Sequence, residues 1–237
     1  IITEKNYIMK IETKDNPLSN ILVKRDAINE YGLREMMNHI QGAPVEDLQV
    51  FDPKKSNETG ETHWRTDKTV RDTQIVPFQT QRSNIGPQVE QLMRDTVKNI
   101  INPFFGIQMR DSEIPQILSY GIGGHYQPHI DAESRWQAPN GDIVWKKSTD
   151  RDLSMVFYLN DGYEGGDFVF PGLGIRVRPE PGMLIAFPST HEYMHGVEPV
   201  TKGHRYAMVC WGTIIGYPNL NDVNREFSRR YGIDVTN

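Results

Sequence analysis

The sequence predicts a mainly β chain of the α+β class, in which N-terminal helices support a β-sandwich. Three observations predict it. Two stretches in the first half repeat apolar residues at helical spacing. Beyond Pro103, short runs rich in Val, Ile, Phe and Tyr alternate with Gly, Pro, Asn and Asp, the texture of closely spaced strands. The chain has 237 residues, 37% hydrophobic and 24% charged, which suits one large domain or two small ones and is enough for a real core.

Residues 26–41 place Leu33, Met36, Met37 and Ile40 on one helical face, and Gly42 is a natural stop. A second helix opens at Pro87, a favoured first position, and carries Val89, Leu92, Met93, Val97, Ile100 and Ile101. Pro103 is expected to follow its end. Strands are expected in "IPQILSY", "DLSMVFYLN", "DFVF", "GIRVRP", "GMLIAFP" and "RYAMVCWG". Residues 132–150 are polar and turn-rich and read as a long loop or insertion, a candidate lid. The expected organisation is one domain over 1–237: a helical part to about 110, a β-sandwich over about 111–215, and a C-terminal tail.

The net charge is −5, so no basic field invites nucleic acid or an anionic membrane. No apolar run approaches the roughly 20 residues that span a bilayer. The opening "IITEKNYIMK" lacks a charged segment followed by an apolar one. The expectation is a cytoplasmic protein with neither nucleic acid nor membrane as partner. Cys210 is the single cysteine, which rules out a disulfide framework and reads as a buried small hydrophobe.

His191-Glu192-Tyr193-Met194-His195 matches the H-E-x-x-H pattern of zinc proteases, which needs a helix to bring both histidines to one face. Pro188 stands just before it, and Gly196 and Pro199 follow. Barely two turns remain, so the segment reads as strand, loop and strand, and the zinc metalloprotease becomes a remote alternative. A different set fits better. In His129-Ile130-Asp131, residues two apart on a strand share a side. With His195 they make two histidines and one carboxylate, the facial triad of non-haem Fe(II) oxygenases. Arg205 supplies a planar fork for a carboxylate, as a dicarboxylate co-substrate requires.

The order "YGIGGHYQPHID", "RDLSMVFYLNDGYEGGDFVFP", "VRPEPGMLIAF" and "HGVEPVTKGHR" resembles the Fe(II)/2-oxoglutarate-dependent prolyl 4-hydroxylase superfamily over about residues 114–212. The resemblance implies a double-stranded β-helix, or jelly roll. It implies Fe(II) on His129, Asp131 and His195, and 2-oxoglutarate on Arg205 and Tyr120. Dioxygen is the second co-substrate, with ascorbate as an auxiliary. Tyr126, Arg151 and Trp211 match positions lining the peptide groove of such enzymes. The implied partner is a peptide or protein containing proline. Two features depart from the pattern: collagen-type members carry Lys where Arg205 stands, and Phe168 replaces a Thr of many plant-type members. An oxygenase acting on another residue or a small molecule is the alternative within the class. A non-catalytic jelly-roll binding protein is the alternative outside it.

Overall fold

The structure is a computed structural model that describes residues 8–9, 21–59, 61 and 63–233. Most of the opening decapeptide, on which the leader-free reading rests, lies outside the described residues, as do 234–237.

The core is two facing antiparallel sheets. The larger runs in the order Ile8–Met9, Leu22–Lys24, Leu184–Pro188, Leu153–Tyr158, Arg205–Ile214, Gln116–Tyr120, Gln74–Val76, Glu46–Asp47, with Met109–Ser112 paired to Arg205–Ile214. The smaller runs Ile175–Val177, Phe168–Phe170, His195–Val197, His125–His129, Arg71–Asp72. This is a double-stranded β-helix with helices on the outer face of the larger sheet, as the sequence predicts.

Strand parity divides the side chains between two cores. Along Leu153–Tyr158, Met155 and Phe157 join the cluster under the helices, while Val156 and Tyr158 join the cluster between the sheets. Along Arg205–Ile214, Met208 and Cys210 face the helices, and Ala207 and Val209 face the smaller sheet. Arg205 and Trp211 share the parity of that second set, as do Tyr120 on Gln116–Tyr120 and Ser154 on Leu153–Tyr158. Alternation therefore aims these residues into the space between the sheets.

The first helix is Glu30–Ile40, capped by the Asn29 side chain, which accepts from the Gly32 amide at 2.8 Å. The expected start at residue 26 was four residues early, because an Asn cap only begins the helix where its backbone turns. The second, Gly86–Thr96, does not end before Pro103. A π-helical turn, Val97–Ile101, follows, and Asn102–Phe105 continues to Gly106 at φ 66°. The wider π turn makes room for the proline ring, which would clash with an ordinary helical carbonyl.

Residues 132–150 are not a loop. They fold as a hairpin, Glu133–Gln137 against Ile143–Lys147. The expected tail contains a helix, Leu220–Tyr231, with a capping box at Asn219 and Asp222. Helix and hairpin hold each other: Trp136 meets Phe227 and Tyr231 edge-on, each at 5.5 Å between ring centres. The N-terminal part is also not purely helical, since Leu22–Lys24, Glu46–Asp47 and Gln74–Val76 are strands of the larger sheet. Among the described residues no helix is long and apolar enough to cross a membrane.

Candidate active site

His129 closes the strand His125–His129, His195 opens the strand His195–Val197, and the register sets them directly opposite each other. Asp131 lies two residues past the end of its strand, so it reaches the histidines from a turn and not by strand parity as expected. The three ligand atoms lie within 4.8 Å of one another. His129 Nε2 is 3.6 Å from one Asp131 oxygen and His195 Nε2 is 3.5 Å from the other.

Each ring has its other nitrogen occupied. His129 Nδ1 donates to the Gln127 carbonyl at 2.9 Å and His195 Nδ1 to the Tyr193 carbonyl at 3.0 Å. That arrangement fixes the tautomer and leaves both Nε2 lone pairs facing the carboxylate. Burial, reinforced by neighbouring His195, pushes the His129 ring well below its ordinary range, which keeps it neutral and able to ligate. Burial alone would raise the Asp131 pKa. The two histidines and hydrogen bonds from Ser154 and Trp211 outweigh it and hold the carboxyl low. Ser154 Oγ donates to Asp131 Oδ2 at 2.7 Å and lies 2.8 Å from Ser189 Oγ. Two imidazoles and an ionised carboxylate on one small volume fit a divalent iron.

These residues line a cavity of about 650 Å³ between the sheets. Arg205 lines it too. Its residue is 1% exposed, yet none of its three guanidinium nitrogens has a hydrogen-bond partner. A buried cation with no acceptor is costly unless a ligand supplies one. The Tyr158 and Tyr163 hydroxyls are buried close to the guanidinium, and neither forms a hydrogen bond of good geometry. Burial raises both phenols, so they stay protonated and can donate. The guanidinium carbon sits 4.7 Å from the Tyr120 ring and 5.1 Å from the Tyr158 ring. The Gly-Gly turn clears its path: Gly166 has φ 67°, and a Cβ there would stand 2.9 Å from Arg205 Cδ. The set fits a carboxylate-bearing co-substrate.

The residues expected to line a peptide groove are closer to the metal ligands than that role implies. Tyr126 stacks on His129 at 3.6 Å between ring centres and is covered by Arg71 at 4.5 Å. Arg151 is held by Glu113 through two bonds of 2.5 and 2.8 Å and donates to the Asp131 carbonyl at 3.3 Å. It lies over Trp211 at 3.8 Å. All three line the cavity. Phe168 stacks on His195 at 5.3 Å between ring centres.

Glu46–Phe51 and Trp64 are among the residues that line the cavity, and no residue of 132–150 does. The hairpin is therefore not the lid suggested by its composition. It braces the turn before His195. Glu133 Oε2 accepts from the His191 amide at 2.7 Å and from His191 Nδ1 at 2.6 Å, and Trp145 stacks on the His191 ring. His191–Tyr193 is a single 3₁₀ turn. His191 is thus engaged away from the triad, and Glu192 is exposed, so the H-E-x-x-H string is not a zinc-protease helix.

The reading of the residues missed Ser154, Glu113, Arg71, Tyr158 and Tyr163. Ser154 carried a signal: it is a polar residue inside the apolar run "DLSMVFYLN", at the parity of Val156 and Tyr158.

A buried two-histidine, one-carboxylate triad beside a buried arginine, inside a double-stranded β-helix, is an arrangement that fits a divalent iron and a carboxylate-bearing co-substrate. Residues 115–213, less than half of the chain, match the model of the 2OG-Fe(II) oxygenase superfamily, and the chain is similar to prolyl hydroxylases. It is 37% identical to human (Homo sapiens) prolyl 3-hydroxylase 2 over 108 residues, 42% of this chain and 14% of that protein. It is 30% identical to chicken (Gallus gallus) prolyl 4-hydroxylase subunit alpha-1 over 137 residues, 54% of this chain and 24% of that protein. The chain thus spans only a small part of these curated relatives. A similar fold is that of a Trichoplax adhaerens prolyl hydroxylase solved with a hypoxia inducible factor oxygen degradation domain peptide fragment. The TM-score is 0.57 at 16% identity, covering 81% of this chain and 83% of that chain.

Proposed function

We propose that this chain is an Fe(II)- and 2-oxoglutarate-dependent dioxygenase that hydroxylates prolyl residues of a peptide or protein. One observation carries the reading: Arg205, fully buried with every guanidinium nitrogen unpaired, opens on the same cavity as the triad. A binding module has no use for that pair of features. Prolyl substrates are supported by the relatives, which include both 3- and 4-hydroxylases.

His129, Asp131 and His195 hold the iron, while Arg205 and Tyr120 anchor the co-substrate. Bound Fe(II) with dioxygen supplies oxidative decarboxylation of 2-oxoglutarate to succinate and carbon dioxide, with transfer of one oxygen atom into a substrate C–H bond. The protein's own part is placement. The Nδ1 bonds hold both rings, and Ser154 with Trp211 holds the carboxylate. Arg205 fixes the distal carboxylate as a bidentate anchor. The aromatic walls Phe168, Tyr126 and Trp211 keep water out. We infer that the described elements work as one catalytic domain, supported by the N-terminal strands hydrogen-bonded into the larger sheet. A cytoplasmic placement is part of the proposal.

The experiment measures succinate formation with Fe(II), 2-oxoglutarate and ascorbate, with and without a proline-rich peptide. Mass spectrometry then follows the peptide. The expected result is peptide-stimulated succinate and one added oxygen on proline. Fe(II)-dependent succinate that no proline peptide stimulates would keep the oxygenase and give its substrate to the small-molecule or other-residue alternative.

A further inference from the structure

A second cleft, of about 280 Å³, opens beside the catalytic cavity. Its walls are Pro77, Phe78, Ile114 and Pro115. Two residues, Ile75 and Gln116, line both hollows. The pairing of Ile75 with Leu118, one strand over, fixes this junction at the end of the larger sheet.

Three properties of the cleft are unusual. Ile114 is 80% exposed, the most exposed large hydrophobic residue among those described. The lining carries no charge, in a chain that is 24% charged. The Gln116 side chain stands half-buried at the junction and has no hydrogen-bond partner among the described residues. Phe51 and Trp64, which also line the catalytic cavity, are 48% and 59% exposed and meet edge-on. The catalytic cavity and the apolar notch therefore adjoin each other across Ile75 and the amide of Gln116.

We propose that this notch is a distal subsite for the substrate polypeptide. It takes an apolar residue, of the proline class, several positions from the one that is oxidised. The inference rests on the peptidyl-proline reading above and deepens it. An extended polyproline-type segment has no internal hydrogen bonds, so its carbonyls need outside donors. Gln116 offers one where the chain must pass between the hollows. A segment rising about 3.1 Å per residue can bridge adjacent hollows with a few residues. A small-molecule substrate would fill the catalytic cavity and leave the notch open to water, with Ile114 serving nothing. Exposed apolar surface continuous with a site is the usual mark of a contact surface.

The test compares two fluorescently labelled proline-rich peptides, of about four and about twelve residues, chosen from that rise so that only the longer reaches the notch. Binding to the full chain, loaded with Fe(II) and 2-oxoglutarate without oxygen, is read by anisotropy. Ile114→Glu and Gln116→Ala should each weaken the longer peptide by about fivefold or more, the scale of losing one apolar contact or one hydrogen bond. The shorter peptide should bind wild type and Ile114→Glu equally. Peptide-free succinate formation should be unchanged in Ile114→Glu, whose side chain is outside the catalytic cavity. Equal loss for both peptides, or no loss for the longer one, overturns the subsite. So does a wild-type chain that binds neither. If Ile114→Glu instead dissociates a dimer in sedimentation, the notch belongs to a second copy and the proposal fails. A wild type that binds the longer peptide through the notch, yet leaves it unmodified in air, keeps the subsite and removes prolyl hydroxylation as the reaction.

Discussion

Arg205 and Tyr120 are cross-strand partners, and the arginine's guanidinium carbon stands 4.7 Å from the tyrosine ring. The ring shields one face of the cation and leaves the nitrogen edges for an anion. Arg205→Ala should therefore raise the 2-oxoglutarate requirement steeply while sparing metal binding. Leaving a buried carboxylate unpaired costs roughly 2–5 kcal/mol. Arg205→Lys should recover part of that, keeping the charge and losing the fork. Titrating succinate formation against 2-oxoglutarate decides it. An unchanged requirement in Arg205→Ala would place the anchor elsewhere.

Metal removal should lower thermal stability. A ligand that binds only the folded state stabilises it by about 2.7 kcal/mol at a hundredfold excess over Kd. Chelation of wild type should therefore lower the melting temperature, and Fe(II) added without oxygen should restore it. In His195→Ala and Asp131→Ala that response should nearly vanish. A full metal-dependent rise in either variant would break the triad assignment.

Ser154 should matter without touching substrate. Its hydroxyl and that of Ser189 form a buried relay onto Asp131. Losing an outer partner of a metal ligand typically costs about 10–100-fold in affinity or activity. We expect Ser154→Ala to weaken Co(II) binding, used as a spectroscopic stand-in, within that range. Ser154→Thr, which keeps the hydroxyl, should recover part of it. Identical Co(II) affinity and spectrum in wild type and Ser154→Ala would remove the positioning role.

Glu192→Gln should leave activity near wild type, because Glu192 points to solvent in a 3₁₀ turn. Glu133→Gln should do more harm, since Glu133 holds both nitrogens that orient the turn before His195. The expected reading is a lower melting temperature and weaker metal binding in Glu133→Gln alone. The reverse ranking would revive a catalytic role for Glu192.

Cys210 is buried, and burial pushes its thiol up to about 12 from an ordinary value of 9.0. The native state then holds its proton where the unfolded chain has lost it. This contribution to stability is complete below about pH 9 and falls as pH rises towards 12. Iodoacetamide at pH 8 should leave the native chain unlabelled and label it at once in denaturant. Rapid native labelling would show the strand opening far more easily than its packing implies.

Much of this site was legible in the sequence, for separable reasons. His129, Asp131, His195 and Arg205 stood out because their chemistry is rare in combination, whatever the local structure. Tyr120, Tyr126, Arg151 and Trp211 came from resemblance, and the cavity holds all four. Tyr126 and Trp211 nonetheless contact the ligands themselves, so truncating either is expected to disturb iron as well as peptide. The hairpin at 133–147 was illegible because its polar residues face water on one side. It packs through Trp136 on Phe227 and Tyr231 of a helix far along the chain, which no local pattern contains. Pro103 misled because proline ends a helix only where the turn before it stays α-helical.

The strand Arg205–Ile214 has a consequence for how the molecule comes into being. It is the last strand of the larger sheet in chain order, yet it lies in the middle, between Leu153–Tyr158 and Gln116–Tyr120. A growing chain can complete neither pairing until residues 205–212 are free of the ribosome. Until then two strands with half their backbone groups unpaired lie open to the wrong neighbours. Folding should accordingly be slow, governed by pairings of high contact order, and the nascent chain depends on its surroundings until that strand arrives.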